Sequence, residues 1–496
     1  MLKGLQATGS NPGRLYGLPK VHKENYPLRP ILSAIGTANY GVAKFLVPIL
    51  SPLTTNEYTL NDSFHFINCL RGLDINDGCV MASFDVKSLF TQIPLDETID
   101  ICLEELFRDS EIVHGFNRSQ LKELLNIATK ECYFLFNGTL YRQTDGVSMG
   151  SCLGPALANI FMCYMERKWL RDCPAAFKPL LYKRYVDDTF LVFETQDQIP
   201  RFLEYLNNKH NNIEFTAEIE ENNTLSFLDI HIHKSGNSIS TSVFRKRTFT
   251  GLMSKFQSAT PMKYKMNLIM TLVTRAYRIC SSYVNLHKEL EFLRSMLMKN
   301  GFPINYINTY IGKQLSKLYI NEQHKVTENV KRPIIYLPLT FTGSHSNSIK
   351  KQLSVLLSNA YPQLDIKIYF KLQNKIGNFF KIKDPIPTSL RSNIIYKWQC
   401  RSCDATYIGR TIRSAWMRWF EHLGKSFRTG NYLTRPSYSA IREHSEESGH
   451  PITLEDFSVI TSTPLSMDLD ILEALYSYQL RPSIARNVTP SSLLCF

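Results

Sequence analysis

The sequence predicts a mixed α/β (α+β) protein of several domains, built around an antiparallel sheet with flanking helices. Its 496 residues exceed what one hydrophobic core usually organises, which suggests two to four domains. Residues 80–90 are rich in β-branched and aromatic side chains and predict a buried strand with an acid, Asp85, near its end. Apolar flanks on both sides of Tyr185-Val186-Asp187-Asp188 predict a β-hairpin with two carboxylates at its turn.

Asp85, Asp187 and Asp188 are candidate metal ligands. Adjacent carboxylates between apolar segments are costly unless a partner compensates their charge. Three carboxylates from two strands can hold two divalent cations about 4 Å apart, an arrangement that serves nucleotidyl transfer. An acidic surface turn would explain Asp187 and Asp188 alone, but it does not account for Asp85.

A glycine-rich segment lies between the two acidic strands. Residues 144–154 contain three glycines, and the apolar run that follows predicts a helix with Pro155 near its start. Such a turn is weak evidence by itself. The order of acidic strand, glycine-rich turn, helix and Tyr-x-Asp-Asp is more specific.

With this order of segments, the chain resembles the reverse transcriptases of Penelope-like retroelements. Residues 14–23 (RLYGLPKVHK) and 28–33 (LRPILS) are similar to the fingers segments of that family, and residues 225–230 (LSFLDI) to its motif after the catalytic hairpin. The resemblance implies a right-hand polymerase with fingers, an antiparallel palm and a helical thumb. It also implies Mg²⁺ or Mn²⁺, an RNA template, a DNA primer or target and deoxynucleoside triphosphates.

Carried over to this sequence, the resemblance makes Asp85, Asp187 and Asp188 the metal ligands. Lys20 and Arg29 would bind the triphosphate, since Arg suits a bidentate phosphate contact, although a solvated basic loop would also explain them.

Three further residues would shape the nucleotide pocket. Phe90 occupies the position of the bulky side chain that excludes a ribose 2′ hydroxyl, unless it is an ordinary core aromatic. Met149 and Gly150 match the turn of the nucleotide and template pocket. The next residue but one, Cys152, stands where the family usually has proline.

A second group of residues near the C-terminus has the spacing of a zinc site. Cys400 and Cys403 form Cys-x2-Cys, and His444 and His450 follow as His-x5-His. The halves are about forty residues apart, so a zinc ion here would join distant parts of one domain. Surface histidines beside an unoccupied thiol pair are the alternative.

The segment that these ligands enclose resembles a GIY-YIG endonuclease, a domain that follows the polymerase in Penelope-like elements. The sequence predicts a strand over 407–411 and a helix over 414–423. By resemblance Glu473 would bind a divalent cation and Arg418 would neutralise the scissile phosphate. Tyr396, Tyr407 and His422 would position or deprotonate the attacking water. Ile394 departs from the usual glycine of the first triplet, and packing of Tyr396 and Tyr407 in a core is the alternative.

Charge and composition agree with a polyanionic partner. The net charge is +13, and residues 234–300 contain twelve Lys and Arg against two acids. We expect fingers and palm over 1–233, a thumb over 234–325, a basic connector over 326–390 and the nuclease over 391–496. The fingers motif begins within twenty residues of Met1, so we expect an N-terminally truncated element copy or an incomplete gene model.

The sequence contains no apolar run long enough to cross a membrane and no secretory signal at its start. We therefore expect an intracellular, nuclear protein whose eleven cysteines stay reduced.

The predicted function is an RNA-directed DNA polymerase that extends a DNA end nicked by its own C-terminal domain. A telomerase-like polymerase is one alternative, and the nuclease segment counts against it. An organellar-intron polymerase is another, and the zinc pair counts against that one. A decayed copy that only binds nucleic acid is another.

Overall fold

The structure is a computed structural model that describes residues 9–21, 24–73, 75–76, 78–323, 333–372, 375–380, 382–463 and 466–484. The strands in these ranges are β1 (Gly13–Pro19), β2 (Leu28–Ser33), β3 (Val80–Val86), β4 (Tyr133–Phe136), β5 (Thr139–Arg142), β6 (Leu181–Tyr185), β7 (Asp188–Phe193), β8 (Phe215–Ile219), β9 (Thr224–Phe227), β10 (Ile230–Ser235), β11 (Ser238–Val243), β12 (Ile334–Thr340), β13 (Asp365–Lys371), β14 (Ile394–Gln399), β15 (Thr406–Thr411) and β16 (Phe457–Ser462). The α-helices are α1 (Tyr40–Leu50), α2 (Ser63–Arg71), α3 (Leu89–Gln92), α4 (Leu95–Leu106), α5 (Arg118–Lys130), α6 (Gly154–Arg171), α7 (Gln198–Asn207), α8 (Met262–Ile279), α9 (Tyr283–Lys299), α10 (Ile304–Gln323), α11 (His345–Ala360), α12 (Ala415–His422), α13 (Ala440–Ser448) and α14 (Ser466–Leu480).

The central sheet is antiparallel and has the strand order β6-β7-β3-β8. Its strand β3 is buried on both faces. Ala82, Phe84 and Val86 belong to one hydrophobic cluster with α4 and α6, whereas Met81 belongs to a second cluster with α2 and β9–β10. A strand between two cores has no solvent face, which explains why the run before Asp85 lacks polar alternation.

Helix α6 begins where the sequence predicts, with Pro155 in its first turn. Twelve of its residues are buried, and most of its apolar side chains pack into the first cluster. The helix therefore lies directly behind the β6–β7 hairpin.

The N-terminal sheet has the order β2-β1-β4-β5. Strands β1 and β2 form an antiparallel hairpin, and β1 pairs with β4 in parallel. This sheet carries the segments predicted as fingers.

The boundary predicted at about residue 233 does not coincide with the end of a strand. It falls inside β10, and the antiparallel sheet β11-β10-β9 continues to Val243. The β-branched residues Ile239, Thr241 and Val243 alternate with serines over 238–243, a pattern that favours a strand and extends the sheet beyond the predicted boundary. The helical unit itself comprises α8, α9 and α10 around a separate core.

The last two units are small. Strands β12 and β13 pair in parallel and flank α11, which gives a βαβ unit. Strands β15-β14-β16 form an antiparallel sheet with α12, α13 and α14. The predicted α/β fold with an antiparallel catalytic sheet and flanking helices is thus confirmed. No helix in the described ranges is long and apolar enough to span a membrane.

Candidate active sites

The three predicted carboxylates meet at one end of the central sheet. Asp85 lies opposite Asp188 in the β3–β7 register, and Val186 and Asp187 form the two-residue turn between β6 and β7. The amide of Val86 donates to the carbonyl of Asp187 over 3.1 Å, which fixes the turn against β3. The structure therefore brings the three acids together.

Electrostatics at this cluster favour a cation. Partial burial, and after it the carboxylates of Asp187 and Asp85, raise the pKa of Asp188 to about 6, while Lys246 acts in the opposite direction. A raised carboxyl pKa means that the charged form is disfavoured. Carboxylate oxygens are ligands that Mg²⁺ accepts, and a bound cation would relieve the mutual repulsion, so these residues fit a divalent metal.

The hairpin turn is strained and held from behind. Val186 has a φ of 57°, a conformation that β-branched residues rarely adopt. The buried guanidinium of Arg184 donates to the carbonyl of Val186 over 3.0 Å and to Asn159 Oδ1 of α6 over 2.9 Å.

Glu166 of α6 completes this support. It accepts from Arg184 Nε over 2.5 Å and Nη2 over 3.2 Å, and from the Tyr182 hydroxyl over 2.9 Å. Sequence reasoning missed this group. The available signal was a glutamate inside an apolar helix and an arginine inside an apolar strand, since buried charges need partners.

The glycine-rich turn packs closely on the N-terminal sheet. Gly150 has a φ of 133°, and a Cβ there would lie 2.2 Å from the carbonyl oxygen of Leu32. The amide of Leu32 donates to the carbonyl of Met149 over 2.9 Å. Met149 and Gly150 thus connect β2 with the segment that leads into α6.

Phe90 lies five residues beyond Asp85, in α3. Its carbonyl accepts from the amide of Val147 over 2.7 Å, and its ring would stand 3.8 Å from a Cβ at Gly154. The side chain is half-buried against the first cluster. This position beside the glycine-rich turn suits either a pocket wall or a core aromatic, the two alternatives that the sequence left open.

Lys20 and Arg29 lie at the far end of the β1–β2 hairpin. Arg29 pairs in register with Leu18, and the amide of Lys20 donates to the carbonyl of Pro27 over 2.9 Å. The structure places both cations on one hairpin, and their role stays a prediction.

The segment after the catalytic hairpin contacts the helical unit. Leu228 turns β9 into β10 with a φ of 54°, and Asp229 accepts from Arg275 Nε of α8 over 2.7 Å. Several of the twelve basic residues form ion pairs or hydrogen bonds within the protein and are therefore less available to nucleic acid. These pairs are Lys234 with Glu220, Arg245 with Glu289, Lys265 with two backbone carbonyls, Arg275 with Asp229 and Arg294 with Glu291.

The C-terminal sheet holds a second polar cluster. Tyr396 is fully buried, and its hydroxyl lies 2.7 Å from His422 Nε2 and accepts from Arg418 Nε over 3.1 Å. His422 Nδ1 lies 2.7 Å from Ser439 Oγ, which also accepts from the amide of Arg442. The phenol has one proton to give, so the bonds are satisfied when Tyr396 donates to Nε2 and Nδ1–H donates to Ser439.

This arrangement keeps His422 neutral. Burial, then Arg418 and Arg442, lower the pKa of His422 to about 3. Burial is also the main cause that raises the pKa of Tyr396, against the opposing effect of Arg418. With Nδ1–H committed to Ser439 and Nε2 to Tyr396, the neutral imidazole holds the Tyr396 hydroxyl in place.

Gly409 is required by the packing of the two tyrosines. A Cβ at Gly409 would lie 2.6 Å from the hydroxyl of Tyr396 and 2.6 Å from Cε1 of Tyr407. The ring centroids of Tyr407 and His422 are 5.7 Å apart. The predicted residues Tyr396, Tyr407, Arg418 and His422 are therefore one cluster.

Glu473 of α14 approaches the same sheet but has a partner of its own. It accepts from Arg410 Nε over 3.0 Å, and Arg410 also pairs with Asp470 over 2.5 Å. Burial raises the pKa of Glu473, and Arg410 opposes that effect. Sequence reasoning missed Arg410, whose signal was its place directly after Gly409.

The four predicted zinc ligands converge. Their ligand atoms all lie within 4.8 Å of one another. Cys400 Sγ is 3.5 Å from His450 Nδ1, and Cys403 Sγ is 3.6 Å from His444 Nε2. Tetrahedral zinc with ordinary bond lengths places sulfur and nitrogen ligands about 3.6 Å apart, so this donor set fits zinc.

Comparison with protein-family models matches residues 21–225 to the reverse transcriptase (RNA-dependent DNA polymerase) family. This range contains Asp85, Asp187 and Asp188. Residues 21–225 are a reverse transcriptase domain. Residues 252–312, which include α8 and α9, match the animal helix-turn-helix domain.

Several solved structures are similar to this chain. A Candida albicans telomerase is 13% identical, with 62% of this chain and 61% of that chain covered and a TM-score of 0.43. An apo telomerase from Candida tropicalis is 12% identical, with coverages of 64% and 60% and a TM-score of 0.39. The chain thus spans less than two thirds of the length of these telomerases.

A Sicinivirus 3Dpol RNA-dependent RNA polymerase is 14% identical, with 63% of this chain and 70% of that chain covered and a TM-score of 0.39. The comparison with curated proteins found no match.

Proposed function

We propose that this chain is the RNA-directed DNA polymerase of a Penelope-like retroelement and that its C-terminal unit nicks the DNA whose end it extends. The observation that carries the proposal is the pairing of Asp85 with Asp188 beside Asp187, inside the reverse transcriptase domain. Such a domain with an intact acidic cluster supports template-directed nucleotidyl transfer.

In the polymerase reaction, Asp85, Asp187 and Asp188 would hold Mg²⁺ or Mn²⁺. When bound, these cations would activate the primer 3′ hydroxyl and neutralise the pyrophosphate leaving group. The guanidinium of Arg184 keeps the turn in place through Val186. Positioning of this kind supplies much of the rate in phosphoryl transfer.

The incoming nucleotide would meet the other predicted residues. Lys20 and Arg29 would bind its triphosphate, and Phe90 would exclude a ribose 2′ hydroxyl and favour deoxynucleotides. Met149 and Gly150 would shape the pocket floor, since they join β2 to the glycine-rich turn.

For the nuclease, the GIY-YIG resemblance and the Tyr396–His422–Arg418 contacts support DNA nicking. Because Tyr396 is fully buried, it acts as a positioning residue that orients His422 and Arg418. His422 is likewise buried and would help to position the attacking water, Tyr407 would handle the proton of that water, and Arg418 would offset the phosphate charge. Glu473 would hold one divalent cation, with Arg410 as its partner in the absence of metal.

A zinc ion at Cys400, Cys403, His444 and His450 would join the β14–β15 turn to α13. Four-ligand sites of this type are structural. The ion would stabilise the sheet that carries Tyr396 without taking part in the reaction.

The two reactions would follow one another on one substrate. The nuclease would open a DNA strand, and the polymerase would extend the exposed 3′ end on its RNA template. If the DNA target lies in the chromosomes, the site of action would be the nucleus.

Primer extension on an RNA template with Mg²⁺ tests the polymerase. We expect template-directed product from the wild type, none from Asp187→Ala and wild-type product from Asp109→Ala, a change in an exposed loop. A wild-type protein without template-directed product would contradict the proposal and favour a silent copy that only binds nucleic acid.

Nicking of supercoiled plasmid tests the nuclease. We expect Glu473→Ala to abolish nicking and Glu447→Ala, an exposed acid of α13, to preserve it. Continued nicking by Glu473→Ala would show that another residue, or a contaminant, is responsible.

A further inference from the structure

In the βαβ unit of residues 333–372, strand β13 has one covered and one open face. Ile368 and Phe370 of β13 are buried, and α11 packs on this unit. On the opposite side, Tyr336 is 64% exposed and Tyr369 is 44% exposed. Parallel strands are normally covered on both faces. The two exposed tyrosines on this sheet are therefore candidates for contact with a ligand.

The register shows which side chains share the open face. Tyr336 pairs with Lys367, Pro338 with Tyr369, and Thr340 with Lys371. Because side chains alternate along a strand, the two tyrosines and two lysines lie on the same side. Strand spacing and rise place Tyr336 and Tyr369 diagonally, roughly 8 Å apart.

The unit is basic. Residues 333–372 contain four lysines and one acid, Asp365, which lies 3.3 Å from Lys367 Nζ. On the covered side, burial and then Lys263 of α8 lower the pKa of Lys350, which places a further lysine next to this unit. The open face itself carries Lys367 and Lys371 against Asp365, a small positive excess that suits a polyanion.

The unit is also anchored. The Tyr264 hydroxyl of α8 donates to the carbonyl of Phe370 over 2.8 Å and accepts from its amide over 3.1 Å. This closes the outer edge of β13 at that point and attaches the unit to the helices that follow the reverse transcriptase domain. The open face therefore has a fixed place relative to those helices.

We propose that this open face binds single-stranded RNA, with bases stacked on Tyr336 and Tyr369 and phosphates held by Lys367 and Lys371. Stacking on exposed aromatic rings requires unpaired bases and tolerates any sequence. The choice of RNA rests on the proposed function, because the template is the strand that is unpaired before copying, whereas the product stays in a duplex.

Fluorescence anisotropy with a labelled 12-nucleotide oligouridylate tests this site on the full chain. Mg²⁺ is left out and excess unlabelled RNA–DNA hybrid occupies the polymerase site. We expect Tyr336→Leu and Tyr369→Leu each to weaken binding about tenfold. Tyr361→Leu, which changes an exposed tyrosine at the end of α11, is the matched control and should bind as the wild type does.

The charge component is tested by salt dependence. Lys367→Gln combined with Lys371→Gln should reduce the slope of log affinity against log salt by about 1.4. Lys351→Gln, an exposed lysine of α11, should change the slope less. Asp187→Ala should bind the RNA as tightly as the wild type, so failure of the polymerase proposal and failure of this site give different results.

Three results would overturn the proposal. The first is wild-type affinity in the double tyrosine variant. The second is that the tyrosine variants lose as much affinity for the matching 12-nucleotide DNA as for the RNA, which would show that the site does not select RNA. The third is dissociation of a dimer by Tyr336→Leu in sedimentation with unchanged RNA binding, which would make the face a contact between two copies.

Discussion

Arg184 and Glu166 form an ion pair that is closed off from solvent directly behind the acidic hairpin. Their side chains are 0% and 1% exposed, and two nitrogens of the guanidinium reach both carboxylate oxygens. A third nitrogen of Arg184 holds the carbonyl of Val186, whose left-handed backbone forms the turn before Asp187. The geometry of the predicted metal ligands thus depends on Glu166 of α6, which is not itself a predicted ligand.

Glu166→Gln should destabilise the protein strongly. It leaves the charge of Arg184 buried with a neutral partner, and loss of one member of a buried pair costs about 3–5 kcal/mol. Urea unfolding of the full chain measures the change. Asp172→Asn, which removes the exposed pair with Arg171 at the end of the same helix, should cost less than about 1 kcal/mol. Equal effects of the two changes would contradict the structural role of Glu166.

Gly150→Ala should reduce primer extension and leave nicking unchanged. The new Cβ would lie 2.2 Å from the carbonyl of Leu32, and the φ of 133° disfavours any side chain. The turn would have to move away from β2. Gly72→Ala is the control, since φ there is −95° and no atom lies within 4 Å of the added Cβ. Full polymerase activity in Gly150→Ala would show that this contact does not shape the pocket.

Gly409→Ala should reduce nicking and leave primer extension unchanged. Its Cβ would collide with Tyr396 and Tyr407 at 2.6 Å and displace the phenol from His422. We expect at least a tenfold loss of plasmid nicking with normal primer extension. Gly312→Ala in α10, where nothing lies within 4 Å, should preserve both activities. Retained nicking in Gly409→Ala would remove the Tyr396–His422 contact from the proposed mechanism.

Cys400→Ser should lower bound zinc from one equivalent towards none, as measured by elemental analysis of the purified chain. The remaining three ligands bind more weakly, so the C-terminal unit should also become easier to cleave with protease. Cys69→Ser, a free cysteine far along the chain from this cluster, should keep the wild-type zinc content. A wild-type protein without zinc would refute the site.

His422 should make the protein sensitive to acid. Its folded pKa of about 3 lies below the value near 6.5 for an unfolded imidazole. Between these values the unfolded chain binds a proton that the folded chain rejects, so stability is lost as pH falls below 6.5.

From pH 7.5 to pH 5, this site should contribute a loss of about 2 kcal/mol. Urea unfolding at both pH values measures it. His422→Gln should lose that much less on acidification, while His345→Gln, at an exposed position of α11, should behave like the wild type. Identical acid sensitivity in His422→Gln would contradict the assignment.

The sequence determined the elements that local patterns specify. The strand before Asp85, the hairpin at Asp187 and Asp188, the helix after Pro155 and the helix carrying Arg418 and His422 all lie where the residue patterns predict. Turn chemistry, apolar periodicity and ligand spacing are local or nearly local properties. The spacing of the cysteines and histidines also predicted the four zinc ligands. The boundary predicted at about 233 lies inside β10, because a run of basic residues does not mark a change of secondary structure.

Only the tertiary structure decided which polar groups compensate one another. Arg184 with Glu166, Arg410 with Glu473 and Tyr264 with Phe370 join residues 18, 63 and 106 positions apart. A sequence shows that a buried charge needs a partner but not which of several distant residues supplies it, because that choice depends on how whole elements pack. For the same physical reason, the sequence does not reveal that Tyr336 and Tyr369 are exposed on one face of the fold.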